Sequence, residues 1–128
     1  MDNMKYSITH EYIKNDTILV RTLKGCLSLL DLANSADDDI KKGIIHSGLI
    51  GVITHHVDTD FSIDVNDMKL VAAVYDKHLD LLTKIKWAVV IDFSAVALPS
   101  LLKRKNPRYN MQSFTEFSSA LRWVERVD

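Results

Sequence analysis

The chain has 128 residues, 47% of them apolar and 26% charged, and a formal net charge of −1. That mixture suits one domain spanning 1–128 with a single core; it excludes a disordered chain and leaves no global pull toward nucleic acid or an anionic membrane. One cysteine excludes an internal disulfide, and apolar runs of about five residues fall far short of the ~20 that cross a bilayer.

Residues 6–13 and 17–23 are rich in β-branched and aromatic side chains, and the turn cluster Lys14-Asn15-Asp16 separates them. This predicts an antiparallel hairpin whose second strand closes at Gly25. Cys26, with no local His or basic partner, reads as a small buried residue. The period then becomes helical, through Leu29, Leu32, Ala33, Ala36 and Ile40. Ser28 and Asp31 have the spacing of a capping box, with Leu27 and Leu32 as its hydrophobic staple. Lys41 and Lys42 fall in the last turn, and Gly43 is placed to end the helix. A strand over 49–57 follows. Asp64 then opens a long helix with an apolar stripe of Met68, Val71, Ala72, Tyr75, Leu79 and Leu82. Residues 87–93 form another apolar strand, and 95–105 a short helix that must place Pro99 in its first turn. A last strand at 111–115 precedes a helix with Phe117, Ala120, Trp123, Val124 and Val127 on one face.

The order β-β-α-β-α-β-α-β-α predicts an α/β domain with a mixed five-stranded sheet, parallel except for the first strand. The absence of an apolar h-region over 1–11 points to a cytoplasmic protein.

The pattern resembles the SpoIIAA-like domains, the STAS domains of anti-sigma-factor antagonists. The strand Ile18-Leu19-Val20-Arg21 running to Gly25 and a helix carries part of the likeness. So does a strand feeding a helix through the loop Asp58-Thr59-Asp60-Phe61 and Asp64. The ending Phe114 with Ala120-Leu121-Arg122-Trp123-Val124 completes it. The resemblance implies a regulatory module with a protein partner and a phosphoacceptor serine, usually preceded by Asp, after the third strand. This chain has His56-Val57-Asp58-Thr59-Asp60-Phe61-Ser62 there, with no Asp-Ser pair. Ser62, and Ser100 behind Pro99, are therefore not expected to be phosphosites of that kind.

Parallel sheets bind ligands beyond the carboxyl ends of their strands. That edge gathers His55, His56, Asp58, Asp60, Asp92 and Ser94, the candidates for ligand or partner binding. Adjacent strand residues face opposite ways, so His55 and His56 cannot share a metal, whereas His56, Asp58 and Asp60 could share a face. Asp58 and Asp92 could form a carboxylate pair, although Asp at strand–helix junctions commonly caps helices. Lys103, Arg104, Lys105 and Arg108 are candidates for anion binding, set against the plainer role of cations at a helix end stopped by Pro107.

No metal, no cofactor and no strong nucleic-acid binding are expected. The leading functional expectation is a non-catalytic regulatory or binding module acting on a protein or a small ligand. A carrier of an apolar ligand, as in the fold-related CRAL-TRIO domains, comes second, and a small enzyme using His56 and nearby Asp residues third. Homodimerisation is expected, because Val52, Ala88 and Val90 would leave an apolar sheet face bare.

Overall fold

The computed structural model describes residues 5–91 and 110–127. Its five strands stand in chain order across one sheet: β1 (Tyr6–Ile13), β2 (Ile18–Ser28), β3 (Gly51–Ser62), β4 (Lys86–Val90) and β5 (Met111–Phe114). β1 runs antiparallel to β2, and every later pairing is parallel. This is the mixed five-stranded sheet, parallel except for its first strand, that the element order predicts.

The hairpin turns on Lys14, Asn15 and Asp16, all with φ between 55° and 62°. Asn and Asp tolerate that left-handed region well. Thr17 closes the turn by donating both its N–H (3.2 Å) and its hydroxyl (2.7 Å) to the Lys14 carbonyl.

β2 does not stop at Gly25 but continues to Ser28. Gly25 has φ 104°, and a Cβ there would collide with the Lys5 carbonyl and the Tyr6 backbone. The glycine thus bends the strand and lets β1 approach closely, where the sequence suggested an end. Cys26, on the extension, is exposed and not buried as expected. Alternation along β2 turns Leu23 and Leu27 into a small core with Leu32, and Cys26 the other way.

Helix α1 (Leu29–Lys41) starts as the sequence dictates. Ser28 Oγ accepts from Asp31 N at 3.1 Å, and Asp31 accepts from Ser28 N at 3.0 Å. At the far end Gly43 takes φ 79° and donates to the Ile40 carbonyl. The long helix expected from Asp64 is divided. Asp64 caps a 3₁₀ turn at Val65–Asp67, followed by α2 (Met68–Asp76) and α3 (Leu79–Lys84). The i→i+3 bond from His78 N to the Tyr75 carbonyl marks the break. There the His78 side chain reaches Asp37 of α1 at 2.6 Å.

Two cores flank the sheet. On one face α1, α2 and α3 pack Leu29, Ala33, Val71, Tyr75 and Leu82 against Leu19, Val52 and Trp87. On the other, α4 (Phe117–Glu125) lays Ala120 and Val124 over Ile18, Val20, Ile53, Ala88 and Val90. Val52 pairs with Trp87, and Ile53 with Ala88, so Val52 does not share a face with Ala88 and Val90 as the dimer expectation assumed. The face holding Ala88 and Val90 is covered by α4 of the same chain. Lys86 anchors that helix: its Nζ donates to the carbonyls of Trp123 (2.9 Å) and Arg126 (2.5 Å) and lies 5.4 Å from the Trp123 ring centroid. Among the described residues no helix is long and apolar enough to cross a membrane.

Candidate functional site

The polar run after the third strand is not a loop. β3 continues through it to Ser62, with a bulge that inserts one residue between the His56–Leu23 and Thr59–Gly25 pairings. Asp58 sits in the bulge at φ 52°. The extra residue reverses the alternation of side chains beyond it.

His55 and His56 do face opposite sides. The His55 ring lies 5.2 Å from that of Phe117 on the α4 side, where burial lowers its pKa. His56 packs edge-on against Phe61 at 5.0 Å, and its Nδ1 is 3.2 Å from Thr59 Oγ1. Asp60, displaced by the bulge, stands beside Cys26, whose Sγ is 4.0 Å from its Oδ2. His56 and Asp60 therefore do not share a face, contrary to the unbulged reading. No group of three or more His, Cys, Asp or Glu among the described residues is placed to hold a metal. Asp92, Ser94, Ser100, Lys103, Arg104, Lys105 and Arg108, with the helix expected over 95–105, lie outside the described residues.

The densest polar cluster is one the sequence did not single out. Arg21, on the core face of β2, is 1% exposed. Its Nε donates to Asp39 Oδ2 at 2.8 Å, its Nη2 to Ser35 Oγ at 2.7 Å, and its Nη1 to Thr54 Oγ1 at 3.5 Å. His10 on β1 donates to the same Asp39 oxygen at 2.8 Å. Two signals point to this cluster. Arg21 has the parity of the core residues Leu19 and Leu23, and Asp39 continues the α1 stripe three residues after Ala36. A His–Asp pair beside a serine invites a hydrolytic reading, but Ser35 accepts from Arg21 and donates to the Leu32 carbonyl at 2.7 Å. Its hydroxyl proton is directed at a backbone oxygen and not at a base, so no activated nucleophile results.

A second His–Asp pair joins the helices. Asp37 accepts from His78 at 2.6 Å and pairs with Lys41 (3.0 Å) and Lys77 (3.7 Å). The His78 hydrogen bond, reinforced by Lys41, brings the Asp37 carboxyl down to about 2. His10 and His78 each have a carboxylate partner that holds the ring in place, and neither pair meets a nucleophile among the described residues.

The stretch leading out of β3 shows a different character. Ile63, Val65 and Leu70 are 37%, 74% and 55% exposed. Leu70 continues into a groove of about 470 Å³ between α1 and α2, with Leu30, Ala73 and Val74 along it and Lys77 at its rim. Full burial of an exposed side chain of this size contributes roughly 1.5–3 kcal/mol, and Val65, the most exposed of the three, has the largest share of that still to gain.

No protein-family model matches the chain, and no curated protein matches it. Several solved structures resemble it, three of them as follows. An anti-sigma factor antagonist from Mycobacterium paratuberculosis is 19% identical, with a TM-score of 0.56 over 94% of this chain and 96% of that one. A DUF3478-family protein with a SpoIIAA-like fold, from Shewanella loihica PV-4, is 16% identical, with a TM-score of 0.57 over 97% and 98%. The anti-sigma factor antagonist SpoIIAA, in its unphosphorylated form, is 15% identical, with a TM-score of 0.51 over 95% and 100%. At these identities the likeness establishes a shared fold.

Proposed function

We propose that the chain is a non-catalytic regulatory module that recognises a protein partner through the shoulder formed by residues 63–70 and the α1–α2 groove. The observation that carries this is the exposure of Ile63, Val65 and Leu70 along the segment that leads from β3 into α2. Exposed apolar side chains gathered in one segment mark interaction surfaces. Two of the structural neighbours are anti-sigma factor antagonists, which supports the same reading. The engaged positions of Ser35, His10 and His78 support a non-enzymatic role.

The alternative carrier of an apolar ligand draws little support from the core of the described residues. The space enclosed beside Trp87 and Tyr75 is about 20 Å³, the size of a water site and far below the ~300 Å³ of a small-molecule pocket. Self-association keeps one observation in its favour, an open depression between Glu11, Ile13, Val20 and Phe117 that α4 leaves uncovered.

The test is a Val65→Asp/Leu70→Asp double variant in the native cell. Both side chains are exposed, so the melting temperature should hold within a few degrees while a partner cross-linked to the wild-type chain is lost. A partner retained at wild-type yield by the folded variant would refute the shoulder as the interface.

A further inference from the structure

β1 is the outer strand of the sheet, and among the described residues no strand pairs with its other edge. Its pairing with β2 is continuous from Tyr6 to Ile13, and it contains no proline. The Lys5 carbonyl accepts from Cys26 N at 2.7 Å, which fixes the parity of the strand. In an antiparallel ladder alternate residues turn their N–H and C=O toward the same neighbour. Ser7, Thr9, Glu11 and Ile13 therefore bond to β2, while Tyr6, Ile8, His10 and Tyr12 present theirs outward.

The side chains of those outward residues lie on the α1 side of the sheet, where Tyr6, Ile8 and His10 form the floor of a groove of about 610 Å³. Asn34, Asp38 and Lys42 of α1 and its cap form the wall. The groove is anchored at both levels: His10 bonds to Asp39, and the Tyr12 hydroxyl donates to the Ile44 carbonyl at 2.6 Å. A regular open edge next to a groove under a helix is the geometry of strand addition. The edge supplies main-chain hydrogen bonds, and alternate side chains of the added strand enter the groove.

From this we infer that β1 captures an extended peptide segment of a partner protein, which adds as a sixth strand. A second copy of the chain fits the edge less well. It would set Asn34, Asp38 and Lys42 of its own α1 against the same three polar residues, which must then be desolvated against one another. A single segment uses the edge and the Tyr6–Ile8 floor without that cost. Asp38 and Lys42 already pair at 2.9 Å, so the wall is neutralised and selects no charge. The segment should carry an apolar side chain over Tyr6 and Ile8, and an uncharged hydrogen-bonding one two residues along, beside His10. This groove and the α1–α2 groove meet at Asn34 of α1, but the β1 edge and the Tyr6–Ile8 floor belong to this one alone, and the inference does not rest on the shoulder reading.

The experiment selects binders to the full chain from a displayed library of random linear peptides. Amide hydrogen exchange of the chain is then followed by NMR with a selected peptide. In the free chain the amides of Ser7, Thr9, Glu11 and Ile13 should be protected, and those of Tyr6, Ile8, His10 and Tyr12 should exchange rapidly. Peptide binding should slow the second set about tenfold or more, and N-methylation of alternate peptide amides should weaken binding by a similar factor. Failure to recover a peptide, or binding that leaves those four amides fast, would overturn the proposal. Protection of the same amides that rises with chain concentration alone would overturn it in favour of a second copy on the edge.

Discussion

Replacing Asp39 by Asn tests whether the buried cluster beneath the β1 groove holds α1 to the sheet. The Arg21 and Asp39 side chains are 1% and 7% exposed and meet at 2.8 Å. Asparagine keeps the shape and one acceptor oxygen but removes the countercharge, which leaves a guanidinium in the core with Ser35 and Thr54 as its other acceptors. Breaking a buried ion pair from one side costs about 3–5 kcal/mol, and the retained acceptor places Asp39→Asn near the lower end, ~3 kcal/mol. Against a total stability of roughly 5–15 kcal/mol, that is a large share. Urea unfolding followed by circular dichroism should show the midpoint falling with an unchanged slope. The double variant Arg21→Met/Asp39→Leu removes both charges and should cost less than Asp39→Leu alone, and the cycle closed with Arg21→Met and Asp39→Leu should give a coupling of about 2 kcal/mol or more. His10→Gln, at a ring 30% exposed, should cost only about 1 kcal/mol. An Asp39→Asn penalty below ~1 kcal/mol, or a double variant as costly as the sum of its single changes, would refute the view that the pair acts as a unit.

Two further outcomes follow from local chemistry. Ser28→Ala breaks the capping box at the start of α1 and should cost about 1 kcal/mol in urea unfolding, with Ser28→Thr recovering most of it; equal stability of all three chains would contradict the cap. Asp37 titrates at about 2 when folded against an ordinary 3.8, so its contribution is fully present above pH 3.8 and is lost as the pH falls toward 2. Asp37→Asn should flatten the stability profile across that interval, and an unchanged acid limb would remove Asp37 as its source.

Much of the architecture was legible from local rules. The Lys14-Asn15-Asp16 turn, the Ser28–Asp31 cap and the Gly43 terminus each rest on a few adjacent residues, so no distant partner could override them. The alternation of strand and helix segments was enough for a parallel sheet with one antiparallel strand. The opposite orientations of His55 and His56 followed from the strand period alone.

What failed depended on register and on contacts between distant segments. A single inserted residue at Asp58 carried Asp60 away from His56, and nothing in the run His56-Val57-Asp58-Thr59-Asp60 marks which residue bulges out. The break before α3 contains neither glycine nor proline; it coincides with a bond from His78 to a carboxylate 41 residues away. Val52 and Ala88 fell on opposite faces because interstrand register, not position within a strand, decides which side chains are neighbours. The Arg21–Asp39 cluster was announced only by a charge at a core parity, since composition cannot pair a strand arginine with a helix aspartate until the two elements pack. The sequence alone determined the hairpin of β1 and β2 and the start and end of α1, because those choices are made within a turn or two of backbone. Which polar groups meet, and which apolar ones remain in water, was decided by packing, where one residue of register outweighs any local preference.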